Sequence, residues 1–353
     1  MRIRTALSVT APLAAALMLS GCLAGESAAS SAGRTPDAEG ATTATDADVD
    51  WSTDTLNIDF ATYNPLSLII KEQGWLEAEL EGVRVTWTQS AGSNKANEAL
   101  RASAIDVGST AGSAALLARA NQSPIRTVSI YTQPEWAAIV VPADSDIDSV
   151  EDLRGRSVAA TKGTDPYFFL LQTLEEHGLG LDEVEVQNVQ HADGRVALEN
   201  GSVDAWSGLD PMMADTELNA GSRLVYRNID FNTYGFLNVR EEYLQAHPDV
   251  VQVVVDAYEK ARAWALENPE ETAAILAEVA AIDLAIAEKV ILERTVIDLD
   301  PVPGDAQRAV LEVVGPIFVE SGDVSSAEQI DEALDTLFEP SFAQDADATR
   351  LGD

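Results

Sequence analysis

The residues best placed to do chemistry are short polar ones, set where strands give way to helices. Ser90-Ala91-Gly92-Ser93 opens a run through Ala96, Ala99 and Leu100, and Gly108-Ser109-Thr110-Ala111-Gly112 opens another from Ala114 to Ala120. Lys162-Gly163-Thr164-Asp165 opens a third. A helix N-terminus carries unpaired backbone N–H groups and the positive end of the helix dipole, so small hydroxyl residues there make ready anion sites. Each turn, taken alone, is equally an ordinary N-cap. Aromatic residues flank these turns: Tyr63, Trp136, Tyr167, Phe168 and Trp206. Trp206, where the strand through Asp204 ends, fits a core or a cleft position, and Phe168 reads as core because Leu171 follows at i+3. Asp210-Pro211 has the form of a further helix start, which gives Asp210 a capping role as an alternative to ligand contact.

Enzymatic signatures are missing. The chain has no G-x-S-x-G, no G-x-x-x-x-G-K and no G-x-G-x-x-G after a strand. With 59 carboxylates, acidic pairs close in sequence carry no weight. His177, His191 and His247 fall outside any H-x-x-x-H or H-E-x-x-H spacing, and one cysteine excludes a disulfide framework or a cysteine-rich metal site. The expectation is a binding site with no catalytic residues, no metal and no cofactor.

The elements that must position these turns are duplicated. Leu56-Asn57-Ile58-Asp59-Phe60 alternates like a half-buried strand, turns through Tyr63-Asn64-Pro65 and enters an apolar helix ending at Gly74. About 100 residues on, Ser157-Val158-Ala159-Ala160 turns through Thr164-Asp165-Pro166 into a helix ending at Gly178. In each copy Asn or Asp is expected to cap, with Pro at the first helical position and Gly at the far end. A strand follows in each, Val83 to Thr88 and Val184 to Val189, and then a short helix. Ala99-Leu100…Ile105-Asp106-Val107-Gly108-Ser109 then aligns, at an offset of 98, with Ala197-Leu198…Val203-Asp204-Ala205-Trp206-Ser207. Alternating strands and helices imply α/β lobes, each a mostly parallel sheet flanked by helices, with ligand in a cleft outside the strand ends.

Ile139-Val140-Val141-Pro142 and Gly235-Phe236-Leu237-Asn238-Val239 read as strands crossing between lobes at a hinge. Lobe one is expected over 54–141, lobe two over 142–229, and a return to lobe one over 230–345. Beyond Asp249 the apolar spacing predicts helices over 249–267, 269–280, 283–292, 304–320 and 326–338, packed on lobe one.

Ahead of this body lies an address. Arg2 and Arg4 precede an apolar run of nine, Ala11 to Leu19, too short to span a bilayer and suited to a signal peptide over 1–21. Leu19-Ser20-Gly21-Cys22 resembles the lipobox of bacterial lipoproteins, which makes Cys22 the lipid anchor. From 22 to 53 the chain is mostly Ala, Ser, Thr, Gly and Asp, a flexible tether. The whole chain of 353 residues is long enough for two lobes, and 46% hydrophobic content supports a packed body. A net charge of −37 excludes nucleic-acid binding and suits a soluble body outside the cytoplasm.

Ser90-Ala91-Gly92 with Asn97-Glu98-Ala99-Leu100, Asp106-Val107-Gly108-Ser109-Thr110, Lys162-Gly163-Thr164, and Asp204-Ala205-Trp206 with Asp210-Pro211 resemble the aliphatic sulfonate-binding proteins of ABC importers. Taurine- and nitrate-binding proteins and the thiamine-precursor group are relatives. The resemblance runs from about Leu56 to Leu337 and implies a two-lobed, type II periplasmic-binding-protein-like fold. It implies a small solute, most simply an alkanesulfonate or taurine, delivered to an ABC permease and its ATPase. Nitrate, a thiamine pyrimidine precursor or a pyrimidine-synthase-like enzyme on the same fold are the alternatives. A monomer held by lipid on the outer face of the cell membrane follows from the same reading. Ligand contacts are expected at Tyr63, Asn64, Ser90, Gly92, Ser109, Thr110, Trp136, Thr164, Asp165, Tyr167, Trp206 and Asp210. The lobe-two turn departs from the sulfonate pattern, with Thr164-Asp165-Pro166-Tyr167 where a run of serines is usual. A bare sulfonate about 5 Å from an ionised Asp165 would cost roughly 3 kcal/mol at an effective dielectric near 20. Asp165 is therefore expected either to cap its own helix or to meet a cation on the ligand.

Overall fold

The chain divides into two units, Met1–Asp48 and Val49–Asp353. A computed structural model describes residues 50–352, within the second unit. The signal peptide, Cys22 and the tether up to residue 49 lie outside the described residues.

The strands are, in chain order, β1 (Thr55–Phe60), β2 (Arg84–Gln89), β3 (Val107–Ala111), β4 (Ile125–Pro134), β5 (Ile139–Val141), β6 (Ser157–Ala160), β7 (Glu185–Asn188), β8 (Ala205–Ser207), β9 (Arg223–Tyr226), β10 (Gly235–Arg240) and β11 (Thr295–Val296). They form two sheets, ordered β11-β4-β10-β3-β1-β2 and β7-β6-β8-β5-β9. Each sheet is mixed rather than mostly parallel. The duplicated strands pair in parallel, β1 with β2 and β3, β6 with β7 and β8. The strands laid against them, β10 in one lobe and β5 in the other, run antiparallel. The physical reason lies in the connections: parallel pairs need helical crossovers, whereas β5 and β10 are reached by the two passages between lobes.

Those passages are 135–138 and 227–234. The runs expected to cross are themselves sheet strands: Ile139–Val141 already pairs with β8 and β9 in lobe two, and Gly235–Arg240 sits between β3 and β4 in lobe one. The passages bond to each other, Ala137 N–H donating to Asn232 Oδ1 at 2.8 Å.

The duplication is physical. In lobe one the Asn57 N–H donates to Asp106 Oδ2 at 2.9 Å, and Asp106 N–H donates back to the Asn57 carbonyl at 2.6 Å. In lobe two the Ser157 N–H donates to Asp204 Oδ2 at 2.8 Å, and Asp204 N–H returns to the Ser157 carbonyl at 3.0 Å. One aspartate thus locks the start of the first strand in both copies.

The first helix, Pro65–Gln73, forms as its sequence directs. Asn64 Oδ1 accepts the Ser67 N–H at 3.2 Å, Pro65 takes the first turn, and Gly74 closes the end at φ 65°. In lobe two the expectation shifts by one residue: Thr164 is the N-cap and Asp165 already belongs to the Asp165–Glu176 helix.

The C-terminal helices Pro248–Glu267, Pro269–Ala280, Asp305–Glu320 and Ala327–Thr336 match their predicted spans. They do not all stay on lobe one: Phe318 of the Asp305–Glu320 helix packs at a tilt against Phe168 of lobe two, ring centroids 4.4 Å apart. The folded body also runs past both expected limits. Ser52 Oγ donates to Asp249 Oδ1 at 2.5 Å, and Arg350 pairs with buried Asp256 at 2.9 Å. Among the described residues no helix is long and apolar enough to cross a membrane.

Candidate functional site

The carboxyl ends of β1, β2 and β3 in lobe one face those of β6, β7 and β8 in lobe two. Four helices begin in this space: Ser93–Arg101 and Gly112–Ala120 from lobe one, Asp165–Glu176 and His191–Glu199 from lobe two. Their first residues and caps meet around a small inner cavity lined by Tyr63, Ser93, Ala111, Trp136, Thr164, Asp165, Pro166, His191 and Leu209. The lining follows the duplication: Ser93 and His191, like Ala111 and Leu209, stand 98 residues apart. Outward lies a cleft of about 690 Å³, walled by Ser90, Ala91 and Lys95 on one side and Gln190, His191 and Arg195 on the other. Its size suits a small solute. Gly92 allows the close approach of the lobes, since a Cβ there would sit 3.0 Å from Asn94 Oδ1 and 3.1 Å from His191 Nε2.

Asp165 neither caps its helix nor stands free to meet a ligand cation. Its buried carboxylate accepts from Ser113 Oγ of lobe one, from Trp136 Nε1 at 2.7 Å on one passage, and from both the N–H and Oγ1 of Thr233 at 2.7 Å on the other. Burial raises its pKa above the ordinary carboxylate value against the lowering pull of those donors. The side chain is a pin through the hinge.

Two further carboxylates are buried nearby. Asp59, at the end of β1, accepts the N–H and Oγ of Ser109 at 2.9 and 3.0 Å, while its Oδ2 has no partner among the described residues. Burial pushes its pKa up to about 7, against hydrogen bonds from Ser90 and Ser109. Asp210 meets Arg294 at 3.2 Å and accepts the Ala214 N–H at 2.9 Å, so it both caps and pairs. Arg294 also pairs with Glu217, which makes this a second tie between the lobe-two end and the C-terminal part of the chain. Such a buried guanidinium is held by two carboxylates and is not free for an anionic ligand.

The expected contact residues therefore divide. Tyr63, Trp136, Thr164 and Asp165 line the inner cavity, with Tyr63 packed edge-on to Trp136 at 6.1 Å. Ser90 lines the cleft and Gly92 the contact between lobes. Asp210 lines a separate small cavity with Tyr63, Trp136 and Arg294. The others turn away. Asn64 caps its helix and donates to Tyr258 Oη at 3.0 Å; Ser109 serves Asp59; Thr110 accepts from Asn238 Nδ2 at 2.8 Å inside the sheet. Tyr167 is buried against Phe168, and Trp206 is fully buried in the lobe-two core against Gly194. Cys22 lies outside the described residues.

Sequence reasoning missed Ser113, His191, Thr233 and Arg294. His191 was findable, because the 98-residue offset carries Ser93 onto it. Ser113, Thr233 and Arg294 carry no such signal, since each acts by reaching a distant stretch of chain. Among the described residues no group of three or more His, Cys, Asp or Glu is placed to hold a metal ion.

Residues 67–272 match the NMT1/THI5-like family. A Bacillus subtilis (strain 168) protein named for binding aliphatic sulfonates is 29% identical over 229 residues, 64% of this chain and 69% of its own length. An Escherichia coli (strain K12) protein of the same name is 26% identical over 256 residues, 72% of this chain and 80% of its own. Among solved structures, the alkanesulfonate-binding protein SsuA from Xanthomonas axonopodis pv. citri, bound to MOPS, superposes with a TM-score of 0.72 at 23% identity, covering 80% of this chain and 98% of that one.

Proposed function

The chain belongs to the NMT1/THI5-like family, and from that premise we propose that it is the extracytoplasmic solute-binding component of an ABC importer. It captures a small sulfonate-like solute, an alkanesulfonate or taurine, between its lobes and hands it to a permease driven by an ATPase. One observation carries this reading: four helices, two from each lobe, have their first residues or caps in the lining of one small cavity between the sheets. Each N-terminus favours an anion by about 0.3–1 kcal/mol, more where partly buried. A sulfonate presents three oxygens to such an array. Lys95 and Arg195 on the cleft walls are paired with Glu98 and with Asp215, so the helix starts rather than these side chains supply the attraction for an anion. The curated relatives named for aliphatic sulfonates support the same solute class.

The protein acts by binding rather than by catalysis in this reading. The buried carboxylates Asp165 and Asp210 are engaged in holding the lobes, and the cleft is sized for capture. A lipid on Cys22 tethers the body to the outer face of the membrane, close to the permease. Cys22→Ala is then expected to move the protein out of the membrane fraction or leave it unprocessed; retention with lipid attached would contradict the anchor.

The experiment for the solute is a thermal-shift panel of alkanesulfonates, taurine, nitrate, amino acids and pyrimidines. A true ligand at 100 times its Kd adds about 2.7 kcal/mol of stability. The expected result is a clear rise with sulfonates. A rise with nitrate or a pyrimidine and none with sulfonates would overturn the assignment.

A further inference from the structure

Among the described residues His191 is the one shared by the inner cavity and the outer cleft. It is the first residue of the His191–Glu199 helix and is 1% exposed. Its Nδ1 lies 3.1 Å from Thr161 Oγ1. The single hydroxyl hydrogen of Thr161 is committed to the Val189 carbonyl, 2.7 Å away, so the oxygen can only accept from the ring. Nδ1 therefore carries the proton, and Nε2 is left as a bare lone pair. Nε2 has no partner among the described residues. Asn94 Oδ1, from lobe one, is also buried without a partner, and it and Nε2 both lie about 3 Å from the point where a Cβ on Gly92 would stand. Two acceptors from opposite lobes thus converge where the cavity opens into the cleft.

We propose that His191 Nε2 accepts a hydrogen bond from an N–H donor on the solute, so that the site selects an aminoalkanesulfonate over the unsubstituted alkanesulfonate. The inference rests on the sulfonate reading above and adds a specificity-determining residue to it. With the charged end among the helix starts, the tail of the solute must pass His191 to reach the cleft, which brings a nearby amine against the lone pair. An alkyl tail without an amino group leaves both acceptors without a donor, the situation in which sites discriminate most strongly.

The charged groups around the ring do not reverse this. Lys95, on the facing helix, pairs with Glu98; Arg195, on the same helix as His191 and Asp193, pairs with Asp215; Asp165, across the cavity, is filled by its own donors. Burial alone takes the imidazole down to about 3. The site therefore holds a neutral ring at pH 5.5 and above, and Nε2 stays an acceptor over that range.

The test is calorimetric titration of the intact protein with 2-aminoethanesulfonate and with ethanesulfonate. At pH 7.5 the amino compound is expected to bind at least about tenfold more tightly, the size of one hydrogen bond involving a charged group. That advantage is expected to hold from pH 7.5 down to 5.5, because the buried ring stays neutral across this range. His191→Gln, whose side-chain oxygen can accept, keeps the preference; His191→Phe loses it. Equal affinity of the wild type for the two compounds overturns the role of His191, as does a preference that survives in His191→Phe. Binding of neither compound overturns the sulfonate reading itself, which keeps the two failures apart.

Discussion

Asn64 and Asp165 each precede a proline at a helix start in their copy of the repeat, and they do opposite things. Asn64 turns back to cap its helix and to reach Tyr258 in its own lobe. Asp165 turns outward and collects donors from the other lobe and from both passages. The difference follows from register and chemistry. Asn64 precedes its helix and can accept from the Ser67 N–H, whereas Thr164 has taken the cap in lobe two, leaving Asp165 one residue further on with a carboxylate that must find donors to be buried. The same scaffold is present twice; a shift of one residue relative to the cap separates a local cap from a joint.

Breaking the two positions in parallel gives the largest expected contrast. Asp165→Ala strands the Trp136 and Thr233 donors in a buried hinge and is expected to cost about 3 kcal/mol or more. Asn64→Ala removes a cap and one hydrogen bond and is expected to cost about 1–2 kcal/mol. Asp165→Asn shares most of the larger loss, because its amide NH₂ faces donors. Denaturant unfolding of the three variants checks the order, and a near-neutral Asp165→Asn would restore the capping role.

The strand locks sharpen the comparison from the other side. Asp106 is almost fully buried and meets Arg240 at 2.6 Å, while Asp204 is 39% exposed and 3.6 Å from Arg156. Asp106→Ala is expected to cost about 2–3 kcal/mol and Asp204→Ala about 1 kcal/mol. Equal losses in equilibrium unfolding would mean that burial does not separate the two copies.

A smaller and more gradual effect distinguishes the strand ends. Asp59 has no acidic counterpart in lobe two, where Ala159 stands 100 residues on. Its carboxyl keeps its proton up to about pH 7 in the folded protein and loses it near 3.8 when unfolded. Between these values the native state binds more protons, so this group's contribution is full below pH 4 and declines as the pH rises to 7, by at most about 1.4 kcal/mol per unit. Asp59→Asn is expected to flatten that slope in urea unfolding measured from pH 4 to 8. An unchanged slope would show that Asp59 is ionised throughout.

What could be read from the sequence follows the same division. The repeat, the strand order within each copy, the first helix and the C-terminal helices were legible because periodicity and Asn-Pro or Gly signals are local. Tyr63, Trp136 and Thr164 were placed near the cavity by the same local logic. Thr110, Tyr167 and Trp206 were drawn toward it only by nearness in sequence; Thr110 and Trp206 alternate on strands and point into sheet or core, and Tyr167 is buried on its helix against Phe168. The β5 and β10 pairings, the pin at Asp165 and the Arg294 tie depend on which distant segments meet, and no local pattern records that.

The central claim is that an anionic head lodges where four helices begin between the lobes. A crystal structure of the protein grown with an alkanesulfonate tests it most directly. The account predicts the sulfonate oxygens at the starts of the Ser93–Arg101 and His191–Glu199 helices, with the alkyl tail leading past His191 into the cleft. A sulfonate bound on another face of the molecule, with the space between the lobes left unchanged, would contradict it.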